Sequence, residues 1–256
     1  MSSVGAAPRI AWRLATVVDV VPETPRSRTV VLDVPDWPGH RAGQHVDVRL
    51  TAEDGYQSER SYSIASAPEE SRLALTVERL KDGEVSPYLT EELRAGDQLE
   101  LRGPIGGYFV WDITLGGPLF LVAGGSGIVP LMAMLRHRNA ALASDEIARH
   151  QVPARLLYSS RGWDEVIYRD ELTSLAEMDT TLEVRYTLTR DQPEGWTGFQ
   201  RRIDRVMLEQ VTWPPSERPH VFVCGPTSLV ESVATTLVEL GHDAALVKTE
   251  RFGPTG

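Results

Sequence analysis

The chain has 256 residues and a mass of 28.3 kDa, with 41% hydrophobic and 24% charged residues. This composition excludes disordered and fibrous classes and leaves room for one large domain or two ordinary ones. A formal net charge of −10 and a pI near 5.1 argue against a nucleic-acid partner, because phosphate contacts need clustered Lys and Arg.

No stretch approaches the ~20 apolar residues of a membrane span. Residues 1–10 lack the apolar run of a secretory signal. A cytoplasmic protein with no membrane association is the expectation. The single cysteine, Cys224, rules out a disulfide within the chain and a four-cysteine iron–sulfur cluster built from these residues. The six histidines show no metal-ligand spacing, and no metal is expected.

The first half reads as strands over residues 13–21, 28–34, 44–50, 59–65, 72–79 and 97–102, each short and rich in β-branched residues. Val46, Val48 and Leu50 alternate with Asp47 and Arg49, which marks a half-buried strand. Turn signals such as Asp54-Gly55 and Asp82-Gly83 separate the runs. Six strands at this spacing predict a six-stranded antiparallel β-barrel. One helix, from Val85 to Leu93, is expected before the sixth strand.

The second half changes rhythm. An apolar run, Leu119 to Ala123, enters Gly124-Gly125-Ser126-Gly127, and a helical pattern follows from Pro130 to Leu142. Strand-like runs recur at 154–158, 182–188, 220–224 and 244–249, with helical stretches between them. One of these helices, 227–240, stops at Gly241. The alternation predicts an α/β Rossmann-like domain with a parallel sheet. The expected division is residues 8–113 for the barrel and 114–256 for the α/β domain.

Gly125-Ser126-Gly127-Ile128-Val129-Pro130 follows a buried strand and opens a helix. Glycines let backbone approach a pyrophosphate, and the helix N-terminus offers free N–H groups to the anion. Pro130 suits the first helical turn, where a missing N–H costs nothing. Alone, the loop also has a second reading, a plain tight turn of an α/β protein. Arg60-Ser61-Tyr62-Ser63 lies in a barrel strand, where an Arg can clamp a phosphate and an aromatic ring can cover a planar heterocycle. Alone, it is also an ordinary amphipathic strand.

The motifs occur in a fixed order: Arg60-Ser61-Tyr62-Ser63, Gly83-Glu84-Val85-Ser86, Arg102-Gly103-Pro104, the Gly125–Pro130 loop and Cys224-Gly225-Pro226. Together they resemble the ferredoxin–NADP reductase superfamily from about residue 10 onward. The resemblance implies FAD at the barrel and a pyridine nucleotide at the parallel sheet. It assigns Arg60 to a flavin phosphate, Tyr62 to stacking on the isoalloxazine and Ser63 to its N5. It also assigns Gly83, Val85 and Ser86 to a second phosphate contact, and Cys224, Gly225 and Pro226 to the nicotinamide. Glu250 is expected near the reacting edge of the flavin. For Phe252 two readings stand, contact with the flavin face or packing against the barrel. Cys224, with no adjacent His or Lys, is read as a positioning residue or a small buried one, and not as a nucleophile.

Ser160-Arg161 and Thr189-Arg190 follow adjacent strands, and arginines with hydroxyls there favour a 2′-phosphate, hence NADP(H) over NAD(H). The other reading of either arginine is solvated surface. Trp196 is the nearest aromatic that could complete such a pocket. The expected activity is hydride transfer from NADPH to FAD and delivery of electrons to a separate acceptor such as a ferredoxin. The alternatives are a reductase component of an oxygenase or other metalloenzyme, and a flavin-holding subunit without nicotinamide turnover.

Overall fold

The computed structural model describes residues 11–52, 54–141, 143 and 152–252. The expected domain start at residue 8, Leu142 at the expected helix end, and Gly253 lie outside them.

The six expected strands all form: β1 (Trp12–Thr24), β2 (Ser27–Asp33), β3 (His45–Thr51), β4 (Gln57–Ser63), β5 (Leu73–Glu78) and β6 (Gln98–Ile105). They pair antiparallel in the order β4-β3-β6-β1-β2-β5. An Ile64–Leu75 bridge and a 2.8 Å bond from Ala65 N–H to Ala74 O join β4 to β5 and close the barrel. Period-two alternation points Val46 and Val48 inward, where they meet Val30, Leu32, Leu75, Leu99 and Leu101.

The expected helix over 85–93 forms over residues 86–92, and its second part, Tyr88–Glu92, is π-helical. Its apolar spacing is real: Val85, Leu89 and Leu93 are all buried and plug the barrel. Pro87 lies in the first turn, where a missing N–H costs nothing; the Leu89 N–H bonds Val85 O at 3.1 Å, and the Leu93 N–H reaches back to Tyr88 O at 3.1 Å.

The second half forms β7 (Leu119–Gly124), β8 (Ala154–Gly162), β9 (Leu182–Asp191), β10 (His220–Pro226) and β11 (Val247–Phe252). All pairs are parallel, in the order β11-β10-β7-β8-β9. Among the described residues four α-helices pack on it: α1 (Ile128–Ala141), α2 (Arg169–Met178), α3 (Arg205–Val211) and α4 (Thr227–Glu239). Leu119, Leu121 and Ala123 pack in the cluster that contains α1 and Leu172 of α2. Phe120 and Val122 pack on the other face with Met207 and Leu208 of α3 and with Val230 and Val233 of α4.

The last strand lies three residues later than expected. Residues 244–246 form a turn capped by Asp243, whose carboxylate accepts from Ala245 N–H at 3.0 Å. Glu250 and Phe252 are therefore strand residues and do not follow the strand.

The α1 helix is buried on both sides because it lies between the sheet and the barrel. Its Met132 and Met134 share a core with Ala42, Ala65, Phe109 and Trp111. Arg136 donates to Ala65 O at 2.8 Å, and His137 meets Glu69 at 2.6 Å. The Phe109 ring packs edge-on against Phe222 of β10 at 5.3 Å. These contacts fix the barrel against the carboxyl ends of the sheet.

Candidate functional site

The sheet order reverses at β7, which has β8 on one side and β10 on the other. Ligands of open α/β sheets bind in the crevice at such a switch point, outside the carboxyl ends of the strands. Here that crevice is formed by Gly124 at the end of β7, the tight turn Gly125–Gly127, and Cys224 and Gly225 of β10. Gly125 has φ +54°, in the left-handed region. A Cβ on Gly127 would lie 2.2 Å from the Cys224 carbonyl oxygen, so only glycine permits the contact between loop and strand. Gly225 approaches closely but less tightly; its Cβ would sit 3.2 Å from Gly124 Cα. Pro130 is the third residue of α1, among the first four whose N–H groups have no partner within the helix.

The loop opens on a cleft of about 330 Å³ between the two halves of the molecule. Gly125, Ser126, Ser160, Arg161, Thr189, Pro226 and Phe252, all expected site residues, line it. Arg190 does not: it is exposed, in the bulge where β8 and β9 fall out of register between Ser160 and Gly162. Trp196 does not line the cleft either, and packs on Trp163 at 5.3 Å. The Ser160 hydroxyl donates to Gly162 O at 3.1 Å and that of Thr189 to Ser160 O at 3.2 Å. Arg161 is thus the cationic donor among the expected residues on this wall.

The sequence reading missed the barrel wall of the cleft: Thr24, Arg26, Ser27, Glu78 and Leu80. These residues come together because Ser27 of β2 pairs with Glu78 of β5. Arg26 lies 3.9 Å from Glu78. Glu165, an acidic residue just beyond β8, lines the same cleft as Arg161.

On the barrel, β4 places Tyr62 half-buried opposite Val46 and Ser63 opposite His45. Burial pushes the Tyr62 phenol up to about 12, which keeps it neutral. Arg60 is exposed and ion-pairs with Glu84 at 3.1 Å, so β4 and the Gly83–Ser86 segment share one face. Val85 turns into the barrel core, which leaves only its backbone for a ligand. Ser86 is buried and its hydroxyl accepts from Leu80 N–H at 3.0 Å. A Cβ on Gly83 would press within 2.8 Å of that hydroxyl oxygen.

Cys224 and Glu250 are neighbours across β10 and β11. Burial, with the Glu250 carboxylate beside it, holds the Cys224 thiol well above its usual range and keeps it protonated. Burial raises the Glu250 carboxyl to about 7, and its Oε2 is buried with no hydrogen-bond partner. The titrating group of the pair near neutral pH is the carboxyl.

Residues 21–110 match the oxidoreductase FAD-binding domain, and residues 121–235 match the oxidoreductase NAD-binding domain. Ferredoxin–NADP reductase B of Sorangium cellulosum (strain So ce56) is 34% identical over 248 residues, covering 93% of this chain and 96% of that protein. The chain belongs to the ferredoxin–NADP reductase superfamily. Another relative is the glycine betaine monooxygenase reductase subunit of Chromohalobacter salexigens (strain ATCC BAA-138 / DSM 3043), 32% identical over 243 residues and 93% of this chain. The chain spans 63% of that protein's length and 64% of its Pseudomonas aeruginosa counterparts. Among solved structures, the FAD/NAD-binding domain of nitric oxide dioxygenase from Vibrio cholerae superposes with a TM-score of 0.81 at 24% identity. That match covers 96% of this chain and all of the other. A ferredoxin NADP+ reductase from Neisseria gonorrhoeae gives 0.76 at 20% identity, over 94% and 98%. Both show the two-domain fold of the family.

The chain therefore carries an FAD-binding domain followed by a nicotinamide-dinucleotide-binding domain. Among the described residues no three His, Cys, Asp or Glu side chains converge as a metal site. No helix among them is long and apolar enough to cross a membrane.

Proposed function

We propose that the protein is an FAD-dependent NAD(P)H oxidoreductase that passes electrons from NADPH to a separate acceptor such as a ferredoxin. The observation that carries this reading is the cleft of about 330 Å³, in which the glycine turn at the sheet's switch point faces the barrel. When bound, the flavin accepts a hydride from the nicotinamide and can release the electrons singly, which is the chemistry such a pair supplies. The residues present fit both groups. Residues 8–113 hold the flavin, with Arg60 on a phosphate, Tyr62 on the ring and Ser63 toward N5. Residues 114–256 hold the nicotinamide dinucleotide, with Gly125, Ser126, Gly127 and the first turn of α1 offering backbone N–H groups to its diphosphate. Cys224 orients the nicotinamide as a neutral thiol, and Gly225 and Pro226 bound the same side. Glu250 holds or yields a proton at the mouth of that pocket. Phe252, 37% exposed at the cleft, shields the flavin face from water.

NADPH is preferred to NADH because Arg161 supplies the cation that a 2′-phosphate needs. Glu165 on the same wall moderates that preference. In steady-state reduction of an added ferredoxin, Arg161→Ala is expected to raise KM for NADPH about five- to tenfold and leave that for NADH nearly unchanged. Arg190→Ala, outside the cleft, moves neither constant. An unchanged KM for NADPH would remove the preference, and no ferredoxin reduction by the wild type with either donor would remove that acceptor.

A second reading is favoured by relatives named as reductase subunits of glycine betaine monooxygenase. There the acceptor is an oxygenase component. Reduction of an oxygenase partner in place of a ferredoxin distinguishes the two.

A further inference from the structure

The barrel face that carries Arg60 holds an anion of its own. Glu84 Oε2 lies 3.1 Å from the Arg60 guanidinium and accepts from the Ser58 hydroxyl at 2.9 Å. Its other oxygen accepts from the Tyr56 phenol at 3.2 Å. The Ser58 hydrogen bond, then that of Tyr56, holds the carboxyl below its ordinary range, so it is ionised at neutral pH. Ser58 is buried and stands two residues before Arg60 on the same strand face, so the carboxylate is fixed beside the guanidinium. The Gly83–Ser86 segment that supplies Glu84 is also the segment to which the family resemblance assigns a second phosphate contact. The Ser86 hydroxyl there is already held by Leu80 N–H. A phosphate that reaches Arg60 therefore meets a cation whose charge is already balanced.

We propose that Glu84 is a specificity-determining residue of the flavin site, favouring the diphosphate of FAD over the terminal phosphate of FMN. The inference rests on the reading of Arg60 as a flavin-phosphate ligand. A phosphomonoester carries about −1.5 to −2 at pH 7, whereas each phosphorus of a diphosphate bridge carries about −1. FMN would place the larger charge on Arg60, within a few ångströms of a fixed carboxylate. FAD divides its charge between two centres. Arg60 and Glu84 are both about half exposed, at 53% and 51%, so water and salt screen the repulsion without abolishing it. At such range and screening, one added charge corresponds to about a three- to tenfold effect on binding.

The test is flavin binding to flavin-free protein, prepared from the full chain as wild type, Glu84→Gln, Glu84→Ala and Arg60→Ala, titrated with FAD and FMN at low and high salt. Glu84→Gln removes the charge but keeps one acceptor oxygen for Ser58 or Tyr56, and its amide N–H can donate to the other hydroxyl. It is expected to tighten FMN about three- to tenfold relative to FAD, with the shift shrinking as salt rises. Glu84→Ala should move the ratio the same way. An FMN-to-FAD ratio within twofold of wild type in both variants overturns the proposal. Arg60→Ala separates this failure from that of the underlying reading. Weaker binding of both flavins upholds Arg60 as a phosphate ligand, whereas unchanged binding removes that reading and the proposal with it.

Discussion

Replacing Gly127 with alanine is expected to lower the rate of nicotinamide-driven flavin reduction about a hundredfold while leaving flavin content intact. The added Cβ would sit 2.2 Å from the Cys224 carbonyl oxygen, 2.5 Å from its carbon and 2.8 Å from Gly225 nitrogen. All three are backbone atoms of a central parallel strand, paired to β7 and β11 on either side. They cannot swing aside as a side chain tip would. The glycine turn must therefore retreat from β10 by roughly an ångström, a displacement that costs on the order of a hundredfold when reacting groups are held by position alone. Overpacking of this kind also costs about 1–3 kcal/mol of stability. The barrel motifs are untouched, so flavin stays bound. Gly125→Ala makes the contrast. A Cβ there meets nothing nearer than Glu78 Oε2 at 4.0 Å, and only the φ of +54° is unfavourable, at about 1–2 kcal/mol. Rapid-mixing reduction kinetics and urea unfolding of the two variants check this; a wild-type reduction rate in Gly127→Ala would contradict the role given to the turn.

Glu250→Gln is expected to change how both stability and flavin reduction depend on pH. Burial raises this carboxyl to about 7 from 4.5. A folded-state pKa above the unfolded one means that the neutral acid favours the fold. Its contribution is complete below about pH 4.5 and is lost as pH rises through about 7. A shift of this size corresponds to about 3 kcal/mol. Glutamine is neutral throughout, so the unfolding free energy of the variant should gain about 3 kcal/mol on that of the wild type between pH 4 and pH 8. The wild-type reduction rate should bend near pH 7, and the variant's should not. Parallel pH profiles for the two proteins would show that Glu250 titrates elsewhere.

Much of the fold is legible because its signals are local. The alternation of Val46 and Val48 with Asp47 and Arg49 marks β3, and the glycine turn announces the end of β7. Errors occur where a single side chain redirects the backbone. Asp243 caps a turn and delays β11. The site is less legible than the fold because it is assembled from distant segments. Glu78 and Arg26 reach the cleft only through the pairing of Ser27 with Glu78, which no local pattern announces. Arg161 and Arg190 look equivalent in sequence, yet the bulge between β8 and β9 sets only one of them in the cleft. The bond from Arg60 to Glu84 likewise needs β4 and the segment after β5 on one face.

The central claim is that the nicotinamide and flavin domains work on one another across the cleft. An anaerobic titration of the flavin-loaded protein with NADPH, followed by flavin absorbance, tests it most directly. Bleaching of the flavin by about one equivalent of NADPH is the predicted result. A protein that keeps its flavin bound and fully oxidised in excess NADPH and NADH alike would contradict it.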